Sequence, residues 1–257
     1  MTSTASSPEM PPAGADPSGL AVIAGATGAI GSALVRGLLA AGTPVIGFAR
    51  SAEGLRQFSG TAAFEGHVAD VTDAEFPRAV AEAVAGRPVR LVVNLTRLPE
   101  AGDVQEVAPD LLARGVDVKV GGLLRLLRGC DGQLIAGSRV IGFGGRLGYD
   151  PDPGAPIASV ANSALASLVR QLGRELGPRG VTAHVVAPGP VDTDGRTSSS
   201  AGIVGASRAR GEQLNPLGRL PGPDEVVAAT LALLGAAGDL LNGGTLLLDG
   251  GRRTSLP

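Results

Sequence analysis

Groups able to donate a proton near neutral pH are scarce in this sequence. It holds one lysine (Lys119), one tyrosine (Tyr149), one cysteine (Cys130), two histidines (His67 and His184) and no tryptophan. A lone cysteine permits no internal disulfide, which fits a reducing compartment and leads us to expect a cytoplasmic protein. Cys130 sits in the polar turn RGCDGQ with no histidine nearby, so an incidental thiol is expected rather than a nucleophile. The histidines and the cysteine lie in unrelated segments, below any metal-ligand spacing, and no metal is expected. With a net charge of −2 and no basic run, the chain lacks the electrostatic footprint of a nucleic-acid binder. All the cations but Lys119 are arginine, which together with the Ala/Gly/Pro richness reads as coding bias. The longest uncharged apolar run, VVAATLALLGAAG (226–238), is too short to span a bilayer, so no membrane partner is expected. Residues 1–18 lack the cationic start and apolar middle of a signal peptide and read as a disordered tail.

What remains is an alternation of strands and helices over 19–257, long enough for one α/β domain with a large core. GLAVIAG is followed by a helical stretch with Ile30, Ala33, Leu34, Leu38 and Ala41 on one face. Further short apolar runs are TPVIGFA (43–49), AAFEGHV (62–68), VRLVVNL (89–95), QLIAG (133–137), VTAHVVA (181–187) and TLLLDG (245–250). They are apolar along most of their length and separated by helical segments such as 73–85, which implies a parallel sheet covered on both faces. The clearest helix is 157–176, whose apolar stripe suits packing on the sheet or on another subunit, leaving the oligomeric state open. The long segment 194–216 has no strong pattern and is expected to be a flap over a ligand or a surface loop.

The junction AGATGAIGSAL (24–34) joins the first strand to the first helix. Gly25 permits the tight turn, Gly28 lets backbone approach a pyrophosphate, and Gly31 allows close helix–strand packing. Such a string at the first strand–helix junction predicts dinucleotide binding, with Thr27, Ala29 and Ile30 also at the cofactor. An acidic residue at the end of the second strand would favour NAD(H). This chain has Arg50 and Ser51 there, which favours NADP(H), because arginine pairs bidentately with phosphate.

Across 19–251 the chain resembles the short-chain dehydrogenase/reductase superfamily. The resemblance rests on the glycine motif, DVTD (70–73), VVNLT (92–96), VAPGPVDT (186–193), LGRLPGPDEV (217–226) and NGGTLLLDGG (242–251). It implies a Rossmann-type, doubly wound, seven-stranded parallel sheet in the order 3-2-1-4-5-6-7. It also implies that Asp70 lies near adenine, that Val71, Asn94, Leu95 and Thr96 line the cofactor, that Pro188, Gly189 and Val191 hold its nicotinamide end and that Thr193 meets its phosphates.

The departures concern chemistry. The family's Asn-Ser-Tyr-Lys tetrad aligns with Lys119 at the asparagine, Arg139 at the catalytic serine, Ala158 at the tyrosine and Asn162 at the lysine. A register slip of one gives Ser159 and Ser163 instead of the last two. Ser138 is the candidate for both a catalytic and a substrate-contacting role, and Tyr149 for a substrate contact. The pattern resembles the angucyclinone ketoreductases of antibiotic pathways. That resemblance implies reduction of a polycyclic aromatic ketone whose own neighbouring hydroxyl assists. The alternatives are recruitment of Ser138, Lys119 or Tyr149 as acid, and an NADP(H) sensor or non-redox cyclase or dehydratase on the same fold.

Overall fold

The computed structural model describes residues 19–99, 102–193, 196–198 and 215–252. The expected tail 1–18 and most of the expected flap 194–216 lie outside the described residues.

Seven parallel strands form the sheet: β1 (Leu20–Ala24), β2 (Val45–Ala49), β3 (Phe64–Val68), β4 (Val89–Asn94), β5 (Leu134–Phe143), β6 (Thr182–Pro188) and β9 (Thr245–Leu248). Their order is β3-β2-β1-β4-β5-β6-β9, the doubly wound order expected. The seventh strand carries the number nine because β7 (Val191–Thr193) and β8 (Arg196–Ser198) intervene as a separate antiparallel ribbon. The helices are α1 (Ala29–Ala40), α2 (Ala52–Leu55), α3 (Phe76–Val84), α4 (Pro109–Val116), α5 (Gly122–Gly129), α6 (Pro156–Leu176), α7 (Pro223–Ala232) and α8 (Ala236–Leu240). Among the described residues none is long and apolar enough to cross a membrane.

Side chains alternate across a strand, so an apolar run such as LAVIA serves two cores at once. Val22 and Ala24 pack with Ile46, Phe48, Val80, Leu123, Leu126, Leu165 and Val169 on one face. Ala21 and Ile23 pack with Leu34, Leu38, Val93, Val226 and Val227 on the other. The long helix begins at Pro156, where a missing N–H costs nothing, and buries Ile157, Ala161, Leu165, Val169, Leu172 and Leu176 in one stripe. The stripe packs on the sheet and on the segment before it.

One element departs from expectation. β5 is not the short run 133–137. Its ladder starts with Val89 opposite Leu134, breaks, and resumes with Leu91 opposite Arg139, ending near Asn94 opposite Gly142. The strand's carboxyl end is therefore Gly142–Phe143, followed by Gly144 and Gly145.

Candidate active site

The first strand–helix turn is built by close approach. Gly25 has φ +86°, and a Cβ there would stand 2.9 Å from the Leu95 carbonyl group. A Cβ on Gly31 would stand 2.1 Å from the Gly25 oxygen. Both positions require glycine. Gly28 differs: the nearest atom to a Cβ there is 3.7 Å away, an ordinary contact, so a side chain would fit. Gly28 also begins α1 without a side-chain cap or an acidic residue in the first turn, where Ala29 and Ile30 lie. The N–H groups of that turn are suited to an anion.

A cleft of about 640 Å³ opens beside this turn. It is lined at the carboxyl ends of β1 to β4 by Gly25, Thr27, Gly28, Phe48 to Arg50, Ala69 to Thr72 and Leu95 to Pro99, with Arg114 and Val118 from across it. Of the residues expected at the cofactor, it thus brings together Gly25, Thr27, Gly28, Arg50, Asp70, Val71, Leu95 and Thr96. Ser51 is the residue before α2 and is exposed outside the lining. Pro188, Gly189, Val191 and Thr193 lie at the end of β6 and in β7, beyond this cleft. Asp70 accepts hydrogen bonds from the Thr72 backbone N–H at 2.9 Å and hydroxyl at 2.8 Å. Burial works against its charge, yet these bonds, with Arg50 and Arg114 nearby, hold the carboxyl below its ordinary range. Arg50 and Arg114 have no ion-pair partner among the described residues. Arg114 was not expected. It comes from α4, and no spacing in the sequence ties it to Arg50.

At the inner end of the cleft, α4 runs into α5 through a single π turn, Asp117–Gly121. Asn94 fastens that turn. Its amide nitrogen donates to the Val118 and Lys119 carbonyls at 3.1 and 3.2 Å, and its amide oxygen accepts from the Thr96 hydroxyl and N–H at 2.7 and 3.2 Å. Of the residues expected at the cofactor, Asn94 thus has its side chain buried and fully engaged with protein, outside the lining of the cleft. It braces Thr96, which lines the cleft. Lys119 is buried, and its ammonium donates to the carbonyls of Thr96 at 2.8 Å and Phe143 at 2.7 Å. Burial alone lowers its pKa to about 8.

A family model described as enoyl-(acyl carrier protein) reductase matches residues 25–253. The chain belongs to the short-chain dehydrogenase/reductase family. It is 30% identical over 246 residues to the 3-oxoacyl-(acyl-carrier-protein) reductase of Pseudomonas aeruginosa, covering 90% of this chain and 96% of that protein. It is 30% identical over 245 residues to the galactitol 2-dehydrogenase (L-tagatose-forming) of Cereibacter sphaeroides, covering 90% and 93%. A solved short-chain dehydrogenase from Burkholderia cenocepacia, in complex with NADP, superposes with a TM-score of 0.80 at 27% identity, over 91% of this chain and 98% of that one.

In the frame of a short-chain dehydrogenase/reductase, the candidates for chemistry separate. Ser138 is displaced from the site. It lies five residues before the carboxyl end of β5, roughly 16 Å along the strand. Its buried oxygen is 2.7 Å from the Val89 carbonyl oxygen and 2.6 Å from that of Ile135, and accepts the Ile135 N–H at 3.0 Å. It stitches the irregular start of β5, which corrects the catalytic and substrate roles expected of it. Arg139 is likewise structural: its guanidinium reaches the Leu233 carbonyl at 2.9 Å and the Asp239 carboxylate at 2.8 Å, at the amino side of the sheet. The Tyr149 hydroxyl is hydrogen-bonded to the Thr245 hydroxyl, and its ring packs on the core. Ala158 is buried in α6. The hydroxyls of Ser159 and Ser163 donate to the carbonyls of Ala155 at 2.9 Å and Gly148 at 2.7 Å. Asn162 is 1% exposed, and neither atom of its amide has a partner among the described residues.

The other titratable groups are structural. Burial raises the Cys130 thiol to about 12, which leaves it inert, as expected of an incidental thiol. Burial and the nearby Arg139 charge lower His184 to about 4, and its Nε2 meets the Thr182 hydroxyl at 2.8 Å. His67 stacks on Phe48 with ring centroids 5.4 Å apart.

Proposed function

We propose that the protein is an NADP(H)-dependent ketoreductase acting on a polycyclic aromatic ketone of the aromatic polyketide class, of the kind made in antibiotic pathways. In this reading the substrate's own hydroxyl supplies the missing acid. Bound NADPH would supply the hydride. The glycine cradle and the first turn of α1 would hold its pyrophosphate, Asp70 and Val71 its adenine, and Arg50 with Arg114 its 2′-phosphate. Two unpaired guanidinium groups beside the adenosine end support NADP(H) over NAD(H). The solved relative in complex with NADP supports the same reading.

The observation that carries the mechanism is α6. Where the resemblance expects tyrosine and lysine it carries Ala158 and Asn162, and the neighbouring hydroxyls of Ser159 and Ser163 are committed to backbone carbonyls. Losing a general acid costs a reaction about 10²–10⁴-fold, or roughly 3–5.5 kcal/mol. A phenol adjacent to the carbonyl offsets much of that, because its internal hydrogen bond neutralises charge as it forms on oxygen. The protein then needs to align two partners and exclude water.

The test is loss of NADPH absorbance with two polycyclic ketones, one with a hydroxyl beside the carbonyl and one without. Oxidation with only the first is expected. Oxidation with both would assign the acid to the protein. Tight NADPH binding with no oxidation of either would favour a sensor or a non-redox cyclase or dehydratase on this fold.

A further inference from the structure

Three cationic side chains are buried among the described residues: Lys119, Arg139 and Arg146. Arg139 pairs with Asp239, and Arg146 with Asp150 and Asp152. Lys119 pairs with no acid. Its ammonium has two carbonyl acceptors, Thr96 and Phe143, and its third N–H has no acceptor among the described residues. Taking a charge out of water without a counter-charge is unfavourable, so its retention calls for a reason.

Its location supplies one. Thr96 lines the dinucleotide cleft and follows β4, while Phe143 ends β5, the next strand outward. A ligand extending from the cleft along the sheet's carboxyl edge would pass over these two strand ends. The π turn that carries Lys119 is held in place by Asn94 through the Val118 and Lys119 carbonyls. Such turns are uncommon and concentrate at functional sites. A second deficit adjoins the first. The unpartnered amide of Asn162 lies beside Gly144, the residue after Phe143, where a Cβ would stand 3.7 Å from its oxygen. An uncompensated positive charge and an unsatisfied amide, from two different helical segments, thus flank one strand end. Both deficits are met by a polar, anionic group.

We propose that Lys119 is a fixed positive charge that stabilises the anion formed when the substrate carbonyl is reduced, and that Asn162 is a positioning residue hydrogen-bonded to the same substrate. This rests on the ketoreductase reading above. The carbonyl carbon gains a hydride with its electron pair from the dinucleotide, which is oxidised, and the C=O π pair moves to oxygen. The neighbouring phenol passes its proton to that oxygen, leaving a phenolate that water later reprotonates. Lys119 transfers no proton in this scheme; its field lowers the energy of the alkoxide and of the phenolate that follows.

The charged groups on the surrounding elements are Asp117 and Arg125, paired with each other at 2.9 Å, Arg114 on α4, Arg97 after β4, and Arg146 with its two aspartates after β5. None exerts a charge effect on Lys119, whose proton affinity is lowered by burial alone. The ammonium should therefore be charged below a pH of about 8 and lose its charge above it.

The test uses the NADP⁺-loaded protein and two planar probes, 2-hydroxy-1,4-naphthoquinone, an anion at neutral pH with its oxygen beside a carbonyl, and its uncharged methyl ether. At pH 7, calorimetry should show the anion binding at least about tenfold more tightly than the ether. That preference should fall towards unity at pH 9.5 and, at pH 7, in Lys119→Met, each measured at saturating NADP⁺. Asn162→Leu should weaken both probes and keep the preference. An unchanged preference in Lys119→Met, or none in the wild type, would overturn the assignment. If Lys119→Met does not fold, the wild-type pH arm decides alone: a preference that persists at pH 9.5 overturns it. A preference that behaves as expected in a protein that oxidises NADPH with no hydroxylated ketone would sink the ketoreductase reading and leave the anion site standing.

Discussion

The two halves of the carboxyl edge of the sheet are built on opposite terms. Over β1 to β4, backbone does the work: two obligatory glycines, the open first turn of α1 and an exposed cleft with unpaired Arg50 and Arg114 at its rim. Over β5, β6 and α6, polar side chains are present but withdrawn. Ser159 and Ser163 bond backbone, Tyr149 bonds Thr245, and Lys119 and Asn162 are buried. The binding half follows the family pattern because its chemistry is that of the peptide group, which substitution elsewhere leaves intact. The reacting half depends on individual side chains, and each can be exchanged without disturbing the fold. Dinucleotide affinity and catalytic apparatus are therefore separable in this protein, and four measurements would sharpen or break that separation.

The largest effect is expected at Gly31→Ala, where the added Cβ would stand 2.1 Å from the Gly25 oxygen. Overlap with backbone should destabilise by about 3 kcal/mol, the upper end of overpacking, and abolish NADPH binding by titration. Gly28→Ala, whose Cβ would make only an ordinary contact at 3.7 Å, should unfold at the wild-type temperature and lose only affinity. Equal unfolding temperatures for both variants would show that the cradle is not held by close approach.

Lys119 should next reveal itself in stability against pH. Its pKa falls from 10.5 to about 8 on folding, so the folded state releases the proton first. The penalty for burying the charge is complete below pH 8 and gone above 10.5, so this group makes stability rise across that window. By urea unfolding the rise should be about 1.4 kcal/mol between pH 8 and 9; above pH 9 the Cys130 thiol, held up to about 12 by burial, offsets it. Lys119→Met should show no such rise. A flat wild-type profile from pH 8 to 9 would mean that the ammonium is not buried without a counter-charge.

Arg50→Ala and Arg114→Ala should each weaken NADPH by about ten- to a hundredfold, the worth of a charge-assisted hydrogen bond, and leave NADH affinity unchanged. Equal loss for both dinucleotides would remove the 2′-phosphate from the cleft's rim. The smallest effects belong to the reacting half. Ser138→Ala should cost about 1–2 kcal/mol of stability, since it leaves buried backbone groups unpaired, and Tyr149→Phe about 1 kcal/mol or less. NADPH oxidation with a hydroxylated ketone should stay within about twofold for both. Turnover lost by either variant, with NADPH still bound, would return the acid to the protein.

How far the site was legible in the sequence follows from how local each signal is. The cradle could be read because a strand, a turn and a helix N-terminus follow one another within AGATGAIGSAL. The apolar run 133–137 marks only the amino half of β5, because Ser138, Arg139 and Gly142 interrupt the apolar pattern of its carboxyl half. Gly142 is there for packing: a Cβ would stand 2.8 Å from a Leu165 methyl. Taking that half for the whole strand moved Ser138 and Arg139 to its wrong end. Asn94 was assigned to the cofactor, but a side chain's engagement with a π turn 24 residues on cannot be read from VVNLT. Arg114 reaches the cleft through the packing of α4, which no motif encodes.

By itself, then, the sequence determined the alternation of strands and helices, the glycine cradle and the scarcity of proton donors, while the strand order was implied by the resemblance. Each depends on residue type and spacing over a few residues, and periodicity and turn chemistry act at that range. Only the tertiary structure decided what the surviving polar groups can do. It spent the serine hydroxyls on backbone, buried Lys119 between two strand ends without a counter-charge, and left the Asn162 amide unpartnered beside it. Desolvation and hydrogen-bond satisfaction depend on every element that packs around a group, and those elements come from distant parts of the chain.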